Sequence, residues 1–305
     1  MIGQSPALVP STSERVRRTV ALLSRRGFAL GPDRLAALCV GGAVAEGDVR
    51  WAVAASSDLT LEHGLVVMRS DSGRAGEIAA RAAAHGSEAP HYLAMTVRFV
   101  QTLVSFAPFI RSVSVAGSLA SGGFRASDDV DLNLIVDDGR RHLAYVAVNL
   151  LGLVHALRYR SKPVDDLTRR PLAPRLMTAN LILERSQCHP LLRQDEDMAF
   201  EMAMSQPVFG LDVFDEVVRA NAALLDHFPQ LVYRSPALVI DSAAPPRLPA
   251  WIFPSILDGA ARRVGGAAWH YMQWTRRDKP GALARVAYVR ATMRPYSLFD
   301  EPDAT

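Results

Sequence analysis

Two aspartates, Asp129 and Asp131, stand at the start of an apolar run and have the spacing most suggestive of chemistry. The segment from Val113 to Val136 reads VSVAGSLASGGFRASDDVDLNLIV, so two apolar runs flank a Gly-Ser turn and a polar loop. Residues two apart in a strand point to the same face, which predicts two neighbouring carboxylates with Cα atoms roughly 7 Å apart. Such a pair suits Mg²⁺, a hard cation that usually shares its coordination shell with substrate phosphates.

The turn that ends the first apolar run is the second candidate element of the site. Gly117 removes side-chain bulk there, and the hydroxyl and backbone N–H of Ser118 are suited to facing a phosphate. A metal site, a phosphate contact and a two-strand platform together predict phosphoryl or nucleotidyl transfer.

Composition bounds the protein class. Apolar residues make up 49% of the 305 residues, which is enough for a sizeable core, and the net charge is only +3. Cys39 and Cys188 are far apart and have no metal-ligand spacing, so we expect two buried thiols in a reducing compartment. We find no run of 18 apolar residues and no apolar N-terminal segment of the kind that signal peptides contain. The sequence therefore predicts a cytoplasmic protein without membrane association.

The N-terminal region resembles a winged helix. Residues 1–12 are predicted to be a disordered leader, and residues 13–72 are predicted to form three helices, with Ser13 capping the first, followed by a hairpin that turns at His63-Gly64. The candidate DNA-reading segment, EGDVRWAVAASSD, offers Arg50 as its single basic residue. Nucleic-acid binding is therefore less favoured than a packing or docking role.

The rest of the chain predicts an α+β fold with a small mixed sheet. Residues 75–190 form the predicted core, with long helices at 75–106 and 140–160 and a further strand at 176–184. The first of these helices has a potential break at Gly86–Pro90. Residues 191–305 are predicted to be a helical C-terminal domain, with helices at 196–203, 213–228, 256–277 and 281–293.

The Asp129/Asp131 arrangement resembles the nucleotidyltransferase superfamily with the DNA polymerase β-type palm. Its signature is an apolar strand ending in Gly-Gly or Gly-Ser, then about ten residues, then two aspartates alternating with apolar residues. Here Ala116-Gly117-Ser118 is followed by Asp129-Val130-Asp131-Leu132 at that spacing. Pro108-Phe109-Ile110-Arg111 is similar to the lead-in of uncharacterised bacterial members, and the likeness covers roughly residues 75–230.

The resemblance implies transfer of a nucleoside monophosphate from an NTP, ATP among the candidates, to an acceptor hydroxyl of a small molecule, protein or RNA. Asp129 and Asp131 would be catalytic and would hold two Mg²⁺ or Mn²⁺ ions, while Gly117 and Ser118 would cradle the triphosphate. Arg111, Arg125 and Lys162 are candidates to neutralise phosphate charge, or are surface charges.

A third carboxylate, which this family usually carries on a later strand, has no clear counterpart. Asn180 is predicted to point inward on strand 176–184, with Glu184 expected on the same face. Asp165, Asp166 and Glu184 are the candidates for this role, unless one metal site is weak, and Asn133 is either a further donor to the site or simply a polar residue near it. Two alternatives stay open: a catalytically degenerate NTP-binding regulatory module, and a winged-helix regulator that binds nucleic acid.

Overall fold

The computed structural model describes residues 10–158, 176–233, 239–240, 246–276, 280–293 and 295–299. The protein is a mixed α+β fold with a four-stranded mixed sheet and a separate two-stranded sheet. Within the described residues, no helix combines the length and the apolar character needed to cross a bilayer.

Three helices and a hairpin form the N-terminal unit. They are α1 (Thr12–Arg25), α2 (Pro32–Ala37), α3 (Glu46–Ala55), β1 (Leu59–Glu62) and β2 (Leu65–Met68). Helix α1 begins one residue before the predicted cap, because the side chain of Ser11 accepts a hydrogen bond from the Glu14 N–H. The helix thus starts inside the predicted leader, of which residues 1–9 lie outside the described residues.

Helix α4 (Ala75–Phe106) is continuous through Gly86 and Pro90, so the predicted break is wrong. Pro90 is exposed, and so is Gly86, whose carbonyl lacks the helical N–H partner that proline cannot supply and is open to water instead. Buried residues before and after it, Ile78 and Tyr92 among them, pack the helix on both sides of the proline.

The four-stranded sheet has the order β5-β4-β3-β6. Its strands are β3 (Ile110–Ala116), β4 (Val130–Val136), β5 (Met177–Glu184) and β6 (Gln206–Phe209). Strand β3 pairs antiparallel with both β4 and β6, and β4 pairs parallel with β5. Sequence reasoning missed β6, a four-residue edge strand with Pro207 inside it, which is where proline is tolerated in a sheet.

The remaining helices surround this sheet: α5 (Gly117–Ser121), α6 (Arg141–Arg158), α7 (Glu196–Met204), α8 (Leu211–Ala220), α9 (Ala222–His227), α10 (Ile256–Arg276) and α11 (Pro280–Met293). The predicted single helix at 213–228 is two helices that break at Asn221. The buried Asn221 side chain donates to the carbonyls of Cys188 and Val217 and accepts from the Leu191 N–H, which ties the break to a neighbouring loop.

The two faces of the sheet bury different helices. Val130, Leu132 and Leu134 pack with α4 and α6 in one hydrophobic cluster. On the opposite face, Ile135 and Leu181 belong to a cluster that also contains buried residues of α1–α3 and of α7–α9. One continuous core therefore joins the N-terminal unit to the helices that follow the sheet, across the positions predicted as domain boundaries.

Candidate functional site

Asp131 is held against the backbone at the end of β3. Ala116, the last residue of β3, is the antiparallel partner of Asp131, and Gly117 follows with φ +59°. A Cβ built on Gly117 would overlap Asp131 Oδ2 and would lie 2.9 Å from Asp131 Cγ. Asp131 Oδ1 accepts a hydrogen bond from Thr178 Oγ1 at 2.9 Å. The glycine therefore makes room for the carboxylate, and Thr178, at the start of strand β5, helps to orient it.

The other predicted residues of this motif are close in sequence but differ in environment. Ser118, in the first turn of α5, is 5% exposed and lines the same cleft as Asp131. Asp129 immediately precedes β4 and is half-buried, and the intervening Val130 is buried under α4 and α6. Asp131 lines the cleft, whereas Asp129 is not among the described residues that do so.

A row of polar side chains continues from Asp131 along the same face of the sheet. Asn180 Nδ2 donates to Asn133 Oδ1 at 3.0 Å and to Glu201 Oε1 at 3.2 Å, and Asn133 Nδ2 donates to the same Glu201 oxygen at 3.2 Å. Glu201 belongs to α7 and lines the cleft with Asp131. The structure thus places a second carboxylate in the same cleft as Asp131, and sequence reasoning missed it. Its signal was a single charged residue inside the apolar run AFEMAM.

These residues line a cleft of about 310 Å³, which is at the lower end of the range for small-molecule sites. The lining includes Gly117, Ser118, Asp131, Asn180 and Glu201. Four arginines, two at the end of α1 and two near the start of α4, line the cleft as well, together with Tyr288 of α11. The arginines are Arg25, Arg26, Arg74 and Arg81. Acidic and basic groups facing one small cleft are suited to a ligand that carries phosphate and a divalent cation.

Tyr288 is unusual within this lining. Its hydroxyl is buried and has no hydrogen-bond partner among the described residues. A buried hydroxyl without a partner costs free energy, so this group is suited to a bound molecule that accepts or donates a hydrogen bond there.

Arg125 lies outside the cleft lining. It is exposed, its backbone N–H donates to Asp128 Oδ2 at 3.2 Å, and its Nε is 4.0 Å from Asp128 Oδ1. The predicted phosphate ligand Lys162 and the carboxylate candidates Asp165 and Asp166 lie outside the described residues.

Glu184 and Arg111 lie at the other end of the sheet. Glu184 is six residues beyond Thr178, roughly 20 Å along the strand, and accepts a hydrogen bond from the Gly139 N–H at 3.0 Å. An irregularity in the β4–β5 pairing at Leu132/Asn133 adds one residue to β5 and reverses the alternation beyond it. Glu184 therefore does not share Asn180's face as expected, and the structure does not bring it to Asp131.

Arg111 binds Asp137 through two hydrogen bonds of 2.7 and 2.8 Å, and hydrogen bonding to Asp137 raises the pKa of its guanidinium. It borders a different cavity of about 700 Å³, together with Gly210 and Ile240. Arg111 is therefore not a phosphate contact of the Asp131 cleft.

A Cys-His nucleophile is excluded at Cys188 and His189. Burial raises the pKa of the Cys188 thiol to about 12, so the thiol stays protonated at neutral pH. His189 instead contacts Glu216 at 3.2 Å and the Arg185 carbonyl at 3.0 Å.

The donor chemistry of the cleft fits a divalent cation that is completed by substrate oxygens. In the part of the chain that the structure describes, no three His, Cys, Asp or Glu side chains converge on one point. Mg²⁺ needs only one or two protein carboxylates when phosphate oxygens and water fill its remaining positions. Asp131 in its glycine cradle, with Asp129 two residues away, meets that requirement.

Comparisons with known proteins supply no identity. No family model matches the chain, and neither a curated protein nor a solved structure matches it significantly.

Proposed function

We propose that this protein is an Mg²⁺-dependent nucleotidyltransferase that moves a nucleoside monophosphate from an NTP to an acceptor hydroxyl and releases pyrophosphate. One observation carries the proposal: the Asp131 carboxylate is packed against Gly117 in a cleft that four arginines also line. The spacing between the Gly-Ser turn and the Asp-Val-Asp motif adds support.

Residues in and beside the cleft have distinct roles in this reaction. Asp129 and Asp131 would hold Mg²⁺, which supplies charge neutralisation at the triphosphate and stabilises the leaving oxygen. Thr178 donates to Asp131 Oδ1 and keeps the carboxylate aimed along the cleft. Ser118, at the glycine turn, contacts the phosphates, and the four arginines that line the cleft balance their negative charge.

Glu201 is placed to act as the general base. Both asparagine amides donate to Oε1, whereas Oε2 has no hydrogen-bond partner among the described residues. Oε2 takes the proton of the acceptor hydroxyl as that oxygen bonds to the α-phosphorus. The bond between the α-phosphorus and the bridging oxygen then breaks, and pyrophosphate leaves. Glu201 would thus supply the carboxylate that Asn180 cannot provide.

Binding and turnover of the four NTPs test the proposal. We expect at least one NTP to bind in the presence of Mg²⁺, and Asp131→Asn to abolish the Mg²⁺-dependent part of that binding. Asp137→Asn, at the far end of β4, is the matched control and should bind like the wild type. Wild-type protein that binds none of the four NTPs with Mg²⁺ or Mn²⁺ would contradict the proposal.

Asn180 favours one alternative, a degenerate NTP-binding regulatory module. An amide at this position cannot act as a base, so such a module would bind NTP without releasing pyrophosphate. If the wild type binds NTP and shows no pyrophosphate release with small-molecule, protein or RNA acceptors, the regulatory function replaces the enzymatic one.

A further inference from the structure

At the end of helix α1, two arginines share one aspartate, an arrangement of charge that the fold alone does not require. One oxygen of Asp197, Oδ1, is the partner of two guanidinium groups. It lies 3.3 Å from Arg25 Nη2 and 3.3 and 3.4 Å from the two terminal nitrogens of Arg26. These distances exceed the usual 2.9–3.0 Å of an N–H···O hydrogen bond. Two cations therefore share one anion at long range, which leaves positive charge at the cleft.

Arg26 is held in place by several contacts. Its Nη1 donates to the Leu22 carbonyl at 3.1 Å, and its guanidinium lies 4.8 Å above the Phe200 ring. Its side chain is 16% exposed, whereas that of Arg25 is 49% exposed. Arg26 is thus a pre-oriented cation, while Arg25 is able to turn towards a ligand.

The same turn is packed against the loop that follows the glycine-serine motif. A Cβ on Gly123 would lie 2.5 Å from a Phe28 ring carbon, so this loop closely approaches the residue after the α1 turn. Gly27, between Arg26 and Phe28, has no neighbouring atom within 4 Å of the position of a Cβ, so the turn is open towards the cleft. The α1 turn is therefore fixed relative to Gly117 and Ser118 and has space in front of it.

We infer that Arg25 and Arg26 bind the terminal phosphates of the substrate, so that the N-terminal unit is a wall of the substrate site. This inference rests on the proposed function for the identity of the ligand as a nucleoside triphosphate. The charge distribution on α3 agrees with it. The exposed residues Glu46 and Asp48 make that helix acidic, and Arg50 is bound to Glu46 at 2.6 Å. Arg25 and Arg26 thus line the cleft, whereas α3, the helix predicted as the candidate DNA reader, is acidic.

The inference predicts opposite changes in phosphate affinity for substitutions of Asp197 and of Arg25. If Asp197 competes with the ligand for the two arginines, Asp197→Asn should strengthen phosphate binding, whereas Arg25→Gln should weaken it. If the cluster only stabilises the packing of α1 on α7, both substitutions should act in the same direction.

The test uses inorganic tripolyphosphate as the probe, with binding to the full chain measured by calorimetry. We expect Arg25→Gln to weaken binding about three- to tenfold, and Asp197→Asn to strengthen it about threefold. Arg17→Gln is the matched control, because Arg17 lies on the same helix, is similarly exposed and pairs with Glu14 outside the cleft. Thermal unfolding of each variant checks that the fold is retained.

The outcomes separate the inference from the proposed function. Arginine-dependent tripolyphosphate binding without Mg²⁺-dependent NTP binding or turnover would keep the anion site and remove the nucleotidyltransferase. Unchanged NTP affinity and KM in Arg25→Gln, with turnover intact, would overturn the inference and keep the enzyme. If duplex DNA binds more tightly than tripolyphosphate, and if Arg25→Gln lowers the affinity for DNA, the inference is overturned in favour of a nucleic-acid surface.

Discussion

Arg81 of α4 and Asp128 of the loop before β4 form an ion pair at 2.9 Å in which each side chain is 14% exposed. Arg81 Nε also donates to the Gly123 carbonyl at 3.1 Å. One side chain thus joins the long helix to both ends of the loop that connects the glycine-serine turn with the aspartate motif. The geometry of the candidate site depends on these two contacts of Arg81.

Removing one partner of that pair should destabilise the protein. We expect Asp128→Asn to lower the free energy of unfolding by about 2–4 kcal/mol, because it leaves a largely buried guanidinium without its carboxylate. Urea unfolding measures this change. Asp137→Asn is the control, since its more exposed pair with Arg111 should contribute about 1 kcal/mol or less. Equal losses in the two variants would mean that the Arg81–Asp128 pair is no more than a surface ion pair.

Gly117→Ala should displace Asp131. The backbone at φ +59° disfavours a side chain, and the added methyl would overlap Asp131 Oδ2. We expect a loss of Mg²⁺-dependent NTP binding together with about 1–3 kcal/mol of stability. Gly47→Ala is the matched control, because Gly47 lies in α3 with no atom within 4 Å of a Cβ. That change should be neutral or stabilise by up to about 1 kcal/mol. Normal NTP binding by Gly117→Ala would show that the glycine is not needed for the site.

Glu201→Gln should lower kcat about 10²- to 10⁴-fold with little change in KM, because it removes a base but keeps an oxygen that accepts from Asn133 and Asn180. Glu77→Gln, an exposed acid on α4, should behave like the wild type. If Glu201→Gln raises KM and leaves kcat unchanged, Glu201 binds substrate and another group takes the proton.

His85 should make stability depend on pH. Burial lowers the pKa of its imidazole below the ordinary 6.5, and the charge of Arg34 adds to this effect. The neutral ring accepts a hydrogen bond from the Phe124 N–H at 3.3 Å. Because the unfolded chain binds a proton more readily than the folded one, stability is fully present above pH 6.5 and is lost as pH falls from there through the folded pKa.

Urea unfolding at pH 7.5 and pH 5 measures this effect. His85→Gln keeps an acceptor for the Phe124 N–H and should remove part of the difference in unfolding free energy between the two pH values. His91→Gln, at an exposed position on the same helix, should leave that difference unchanged. A difference that survives His85→Gln in full would assign the acid sensitivity to other groups.

Local patterns were sufficient for most of the secondary structure. Helical spacing predicted the long helices, the alternation after Asp129 predicted β4, and the His63-Gly64 turn predicted the first hairpin. These features arise from contacts close in sequence. Strand β6 and the break at Asn221 were missed because each depends on partners elsewhere in the chain: β3 for the strand, and the loop around Cys188 for the asparagine.

The sequence by itself determined that the Gly-Ser turn and the Asp-Val-Asp motif lie together. The two motifs lie at the ends of strands joined by a short loop, and such strands have few alternative ways to pair. Only the tertiary structure decided the rest of the cleft. Glu201 and Arg26 line the same cleft as Asp131 because α7 and α1 share one hydrophobic core on that face of the sheet. Glu184 lies roughly 20 Å along β5 from Thr178, and a one-residue irregularity in β5 also turns it to the other face of the sheet. Such placements depend on packing between segments far apart in the chain, which no local pattern encodes.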